Sequence, residues 1–499
     1  MDRSSFNLAA HVLARATAQP DKIALAVLGP TRSERWSYGR LEAAVRGVGT
    51  ALLEAGLGPG DQLLLRLGNG VAFPLAYLGA IAVGIVPVAT SAQLTTPELD
   101  AALRDISPAA QVVGEGLATS SRPLRTIAEK ELLTAVNFRP ADYILGDADR
   151  MAYIMFTSGT SGRPRAVAHA HRAILARAMM FEGWYGLTAE DRLLHAGALN
   201  WTFTLGTGLL DPWTMGATAL IPAEGTALTA LPLLLKRHDA TLFAAAPGVL
   251  RKLLKTPEKL ALPRLRHTLT AGEHLQPALR DAWEAATGKG LYDAYGMTEC
   301  STFLSASPAG APSLTVQPGR RVKITEDGTI AIHRAEQGLM LGYLEAGRAG
   351  DPHAPGLTQT LTRGLNLDLP LTDDHFLTSD RARQDVDGTI HYEGRTGEMM
   401  NAGGYRVSPL EVEAALAGLA GIEDVAVAEV PVKDTSIIAA FHTGPAPLPR
   451  ATWQAHLEAS LARYKHPRAL VHLSALPRSA NGKLIRRALP PLFEAHSDD

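Results

Sequence analysis

The sequence predicts an α/β protein: a large region of parallel-type α/β sheet, then a β-rich stretch, then a small α+β unit. Three observations predict it. Short apolar runs alternate with segments of helical spacing from Leu41 to Asp293, the rhythm of a parallel sheet with helices on its faces. From about residue 314 the runs shorten and are separated by the turns Glu326-Asp327-Gly328 and Asp385-Val386-Asp387-Gly388, a β-hairpin texture. From about residue 396 helix and strand patterns mix again.

Leu41 to Leu57 has apolar residues at helical spacing and stops at Gly58-Pro59-Gly60. Gln62 to Arg66 reads as a short strand, 71–83 as a buried helix and 85–89 as a buried strand. Further strands are expected at Arg192–Leu194, Ala217–Ile221, Thr241–Ala245, Arg266–Thr270 and Gly290–Asp293. Strand-like Ala152–Phe156 leads into a loop, and a helix begins near Arg172. Residues 350–375, rich in Pro, Gly, Asp and Thr, read as a surface loop. The last unit should hold helix 408–418, strands 424–430 and 436–441, helix 451–463 and a closing strand 468–473.

The 499 residues suggest roughly three domain-sized units. A net charge of −2 gives no basic field for a nucleic acid. The single cysteine, Cys300, excludes a disulfide framework and a cysteine-rich metal site. Val71 to Thr90 is uncharged over a membrane-spanning length, but Pro74, Gly79, Gly84 and Pro87 divide it into a core helix and a strand. The N-terminus does not read as a signal peptide, so a cytoplasmic protein is expected.

The sharpest local feature is Phe156-Thr157-Ser158-Gly159-Thr160-Ser161-Gly162-Arg163-Pro164-Arg165. Glycines let backbone N–H groups approach phosphate oxygens, hydroxyls add donors, and the arginines supply countercharge. It is neither a Walker loop nor G-x-G-x-x-G. A flexible surface loop of small polar residues has the same composition, so the residues alone leave both readings open.

This loop resembles the phosphate loop of the adenylate-forming superfamily, which includes acyl-CoA synthetases, luciferases and the adenylation domains of nonribosomal peptide synthetases. Four further elements, in the family's order, are similar. Tyr292-Asp293-Ala294-Tyr295-Gly296-Met297-Thr298-Glu299 looks like the element in which the threonine binds the α-phosphate and the glutamate holds magnesium, and Gly272-Glu273-His274 upstream matches the adenine loop. Thr378-Ser379-Asp380, with Arg395 fifteen residues on, resembles the ribose-binding aspartate and its arginine. Gly403-Gly404-Tyr405 looks like the glycine-rich element that serves thioester formation. Pro477 to Lys483 matches the C-terminal P-x-x-x-x-G-K loop. Trp36-Ser37-Tyr38, Gly60-Asp61 and Gly84 to Val88 extend the likeness toward the N-terminus.

The resemblance implies an N-terminal domain over 1–395, built of two parallel-type sheets and a small β-barrel-like part, and a mobile lid over 396–499. It implies Lys483, Thr298 and Glu299 as catalytic residues, with Glu299 also on Mg2+. ATP or AMP would meet Thr157, Ser158, Gly159, Thr160, Ser161, Gly162, Arg165, Gly272, Glu273, His274, Asp293, Ala294, Tyr295, Gly296, Thr298, Asp380 and Arg395. The acyl pocket would be Trp201, Phe203, Ala245, Ala246, Tyr295 and Gly296, with Gly403, Gly404 and Tyr405 for the thiol and Gly397 as hinge. The co-substrates would be ATP and coenzyme A.

Some positions depart from the family. The phosphate loop ends Pro164-Arg165-Ala166 where Pro-Lys-Gly is common, and an arginine keeps the charge but not the shape. Gly397-Glu398 replaces an acidic pair, and the stretch after Val430 is contracted to Pro431–Ser436. Phe203 stands where amino-acid-activating relatives carry an aspartate, and a free ammonium would be buried unpaired there. A small apolar acid, fatty or aryl, is therefore expected to be activated to acyl-AMP and passed to coenzyme A. The alternative acceptor is the phosphopantetheine of a carrier protein in trans. A non-catalytic binding protein on the same fold is disfavoured by Glu299, Asp380, Arg395 and Lys483.

Overall fold

The computed structural model describes residues 3–158, 164–255, 260–308, 313–345, 366–402, 405–432, 435–461, 463–479 and 482–497. Two large sheets form its centre. One has eight strands, the other nine.

In the first sheet, Gln62–Arg66 lies between Val86–Ala89 and Ala110–Val113, all parallel, and Met151–Ser158 continues in parallel beside Val86–Ala89. The other edge is antiparallel, running through Pro164–Ala170, Gly342–Glu345 and Asn366–Asp368. The sequence predicts a loop after strand Ala152–Phe156, up to a helix that begins near Arg172. The helix does start at Ala173, but before it the chain returns as strand Pro164–Ala170 against the strand it has just left. In the second sheet, Ile23–Leu28, Thr218–Pro222, Arg192–His195, Leu242–Ala244, His267–Ala271 and Leu291–Tyr295 are parallel neighbours in that order, with antiparallel strands at both edges.

Every residue of helix Ala72–Ala82 is buried, which is why it carries no charge. Helix Tyr38–Glu54 crosses it closely: a Cβ on Gly79 would lie 2.9 Å from the Val45 carbonyl oxygen, and one on Gly49 2.9 Å from Val83 Cγ1. This apolar stretch is therefore core. Among the described residues no helix is long and apolar enough to cross a membrane.

The β-rich part is a four-stranded antiparallel sheet containing both expected hairpins, Val322–Ile324 with Thr329–His333 and His375–Gln384 with Ile390–Arg395. Most of 350–375, read as a loop, lies outside the described residues, but Asn366–Asp368 is a strand. The C-terminal unit is a three-stranded sheet, with Asp424–Val432 antiparallel to Thr435–Thr443 and Ala469–His472 parallel to the latter. Helices Pro409–Ala417 and Arg450–Ser460 accompany it, and the contracted hairpin pairs out to Val432 and Thr435.

Burial lowers His195 to about 3 and His169 and His267 to about 4, so all three are neutral in the fold at neutral pH. An unfolded chain protonates them near 6.5, so the unfolded state gains protons first as pH falls. Their contribution to stability is complete above that pH and lost between it and the folded values, about 1.4 kcal/mol per unit for each group. Urea midpoints should therefore fall steadily between pH 7 and pH 5. An unchanged midpoint would contradict this.

Candidate active site

Strand alternation puts Asp380 inside. In His375–Gln384 the buried residues are Phe376, Thr378, Asp380 and Ala382, every second position. Arg395 lies directly opposite Asp380 on the neighbouring strand, its Nε 3.4 Å from Oδ1. Tyr295 donates its hydroxyl to Asp380 Oδ2 at 2.6 Å, and Tyr392 donates to Oδ1 at 2.6 Å. Burial, and then the Asp380 charge, push both phenols well above their ordinary range. Both carboxylate oxygens are thus held in place with acceptor capacity left. The His274 ring stacks on Tyr392, with centroids 6.4 Å apart.

Strand Leu291–Tyr295 delivers the next group. Beyond it the chain turns sharply, Met297 N–H donating to the Cys300 carbonyl, and there a Cβ on Gly296 would sit 2.6 Å from the Thr302 backbone. His169 Nε2 lies 2.7 Å from the Thr298 carbonyl oxygen. Buried Glu299 accepts a 2.8 Å hydrogen bond from Tyr343. The Arg165 guanidinium covers that same tyrosine ring, 3.2 Å from its centroid, and lies 3.8 Å from Asp368. Thr157 pairs with Arg165 across the hairpin. Asp293 is engaged by Arg280 at 2.7 Å, and Ala294 is buried in the same apolar cluster as Phe203. Gly159, Thr160, Ser161 and Gly162, together with Gly403 and Gly404, lie outside the described residues. Ser158 ends one strand and Tyr405 begins another.

Lys483 comes from the C-terminal unit to this place. Its Nζ is 5.3 Å from the centre of the Trp201 ring, and its Cε lies 3.6 Å from where a Gly272 Cβ would be. Burial lowers its pKa, Glu273 opposes that, Arg395 adds to it, and Glu299 and Asp380 oppose it. Gly272 has φ +93°, and a Cβ there would fall 2.4 Å from Trp201 Cζ2, so both conformation and space demand glycine. The Glu273 carboxylate, expected beside the nucleotide, is taken by Arg251 at 2.9 Å and Arg478 at 3.0 Å.

Trp201 stands edge-on to Phe203, which meets His195 and Trp184 on its other sides. Ala244 and Ala245 divide between the clusters that flank this sheet. Leu242 and Ala244 belong to the Phe203 cluster, whereas Phe243 and Ala245 pack with Leu250, Leu253 and Trp283 on the opposite face of the sheet. The period-two alternation of the strand assigns Ala244, not Ala245, to the Phe203 side. Ala246 is buried at the start of helix Pro247–Leu254. Asp211, the first carboxylate after Phe203, is fully committed to Arg177 and Tyr185. Gly397 lies in the turn Thr396–Glu398, where a Cβ would meet nothing within 4 Å.

Tyr392, Tyr343 and Arg251 escape a reading of the sequence, because each acts through a carboxylate that another element brings to it. Arg478 carries a weak signal, since it lies inside the P-x-x-x-x-G-K loop.

Known proteins bear on this arrangement. The AMP-binding enzyme family matches residues 12–344, and the AMP-binding enzyme C-terminal domain matches 411–483. A 3-hydroxybenzoate–CoA ligase of Aromatoleum sp. (strain CIB) is 28% identical, covering 94% of each chain. A benzoate–CoA ligase of Thauera aromatica is 28% identical over 90% of each. The crystal structure of the anthranilate CoA ligase AuaEII with anthranoyl-AMP superposes with a TM-score of 0.85 at 23% identity, covering 99% of each chain. That of a benzoate CoA ligase from Burkholderia xenovorans LB400 gives 0.84 at 24% identity, covering 97% of this chain and 100% of that one.

Proposed function

Because the chain belongs to the AMP-binding enzyme family, we propose that it activates an aromatic carboxylic acid with ATP and passes the acyl group to coenzyme A. The observation that carries this reading is the meeting of Lys483 with Trp201 and Gly272, within the field of Glu299 and Asp380.

In the first step a carboxylate oxygen of the acid attacks the α-phosphorus of ATP. A new O–P bond forms, and the bond to pyrophosphate breaks. Negative charge gathers on the phosphoryl oxygens, and the Lys483 ammonium offsets it. Asp380 accepts from the ribose hydroxyls, held in place by Tyr295, Tyr392 and Arg395. The flat Trp201 ring forms one wall for the acid, with Phe203 beyond it.

Magnesium fits the donor set. Among the described residues no group of three or more metal-ligating side chains exists, and Mg2+ characteristically takes one or two carboxylates and completes its shell with water and phosphate. Glu299 would hold it, and the ion would neutralise phosphate charge. In the second step the lid, taken as 396–499 and hinged at Gly397, turns away. The thiolate of coenzyme A then attacks the acyl carbon, the C–S bond forms, and AMP leaves with the carboxyl oxygen. Gly403, Gly404 and Tyr405 serve this step.

The test is pyrophosphate release from ATP over a panel of benzoates, cinnamates, fatty acids and amino acids, each with and without coenzyme A. An aryl acid turned over to its thioester is the expected result. Pyrophosphate exchange with no acylation of coenzyme A in any case would overturn the acceptor. Preference for a fatty acid would overturn the aromatic assignment.

A further inference from the structure

Four charged side chains meet where the C-terminal unit touches the rest of the molecule. Arg251, on helix Pro247–Leu254, and Glu273 come from one side, and Asp424 and Arg478 from the other. Each carboxylate faces one arginine from its own side and one from across. Glu273 Oε2 is 2.9 Å from Arg251, and its Oε1 is 3.0 Å from Arg478. Asp424 Oδ2 is 2.7 Å from Arg478 and 3.9 Å from Arg251. The signs alternate and sum to zero. All four side chains are between 12% and 23% exposed, which shields them from the screening that weakens surface pairs.

Arg478 does more than bridge. Its Nη1 also donates to the Gly482 carbonyl at 2.6 Å, one residue before Lys483. Ser479 N–H donates to the Lys483 carbonyl and Gly482 N–H to the Ser479 carbonyl, both at 2.8 Å. Gly482 takes φ +82°, which closes the turn. One guanidinium therefore ties the lysine loop to itself, to its own sheet through Asp424 and to the opposite side through Glu273.

We propose that Arg478 is a positioning residue for the first half-reaction: with Glu273, Asp424 and Arg251 it forms an ion-pair ring that seats Lys483 over Trp201. This rests on the two-step reading above. Rotation of the lid must separate Arg478 from Glu273 and Asp424 from Arg251, so the ring exists in one orientation only and biases the molecule toward it. The neighbouring pair Lys255–Glu423, 2.5 Å apart, also crosses the boundary but is 62% and 46% exposed, and such pairs contribute little.

The experiment measures the two steps separately in the full chain. The probes are benzoate with ATP for pyrophosphate release without coenzyme A, and supplied benzoyl-AMP with coenzyme A for thioester formation. Arg478→Gln is expected to lower the kcat of the first step by about tenfold or more, leaving the KM for ATP and the second step within about twofold. Arg478→Lys should recover part of the loss, and Glu423→Gln should match the unaltered chain. Equal loss in both steps, a first step at full rate, or a loss confined to the KM for ATP would overturn the proposal. An unaltered chain that makes benzoyl-AMP but no thioester would count against the coenzyme A reading alone, since the kcat and KM of the first step still decide the role of Arg478.

Discussion

Lys483→Ala is expected to slow acyl-adenylate formation by about 10²–10³-fold, the usual effect of deleting a donor that faces developing negative charge. Thioester formation from supplied acyl-adenylate should stay within a few-fold of the unaltered rate, because the proposed mechanism gives the lysine no part in that step. Single-turnover pyrophosphate release and thioester appearance, read on the same preparation, check both halves. The side chain is partly buried against Trp201, so its truncation removes little packing. Comparable loss in both halves would show that Lys483 is not specific to the first step.

Asp380→Ala should raise the KM for ATP by about tenfold to a hundredfold, the range for hydrogen bonds to a charged acceptor. The KM for the acid should hardly move. The substitution also leaves the Tyr295 and Tyr392 hydroxyls and the Arg395 guanidinium without their shared acceptor, so a lower melting temperature is expected alongside. If the KM values for ATP and acid rise together, the aspartate holds up the whole site and is no specific ribose contact.

Where local pattern decides an element, the sequence is readable. Gln62–Arg66 forms at its expected bounds because a short apolar run bounded by turn residues has few alternatives. Helix 71–83 appears as Ala72–Ala82 for the same reason. Pro164–Ala170 is not readable in this way. It begins with proline and arginine, and its strand character comes from antiparallel pairing with Met151–Ser158, a tertiary circumstance. The alanines 244–246 show the same limit at the scale of one residue, since three in a row carry no sign of which shares the Phe203 cluster.

The motifs led to Asp380, Glu299, Tyr295 and Lys483, which the fold gathers around Trp201 and Tyr392. What holds them is less legible. Tyr392 and Tyr343 are lone aromatics in unremarkable strands, and each gains its role from a carboxylate delivered by another element. Glu273 sits in the expected loop, yet its carboxylate is turned to two arginines, one of which lies 205 residues away.

With Trp201 on the acid and Gly272 on the nucleotide, as proposed above, their contact makes the two substrate sites thermodynamic neighbours. The indole lies on the very α-carbon that begins the loop Gly272-Glu273-His274, with no side chain between them to absorb movement. An acid that tilts the ring therefore displaces that loop, and His274 with it. Linkage then imposes a reciprocity: whatever factor a given acid applies to the affinity for ATP, ATP must apply to the affinity for that acid. Close-fitting and ill-fitting acids would differ in the apparent Kd of ATP as well as in their own, and calorimetric titration in both orders of addition should close the cycle.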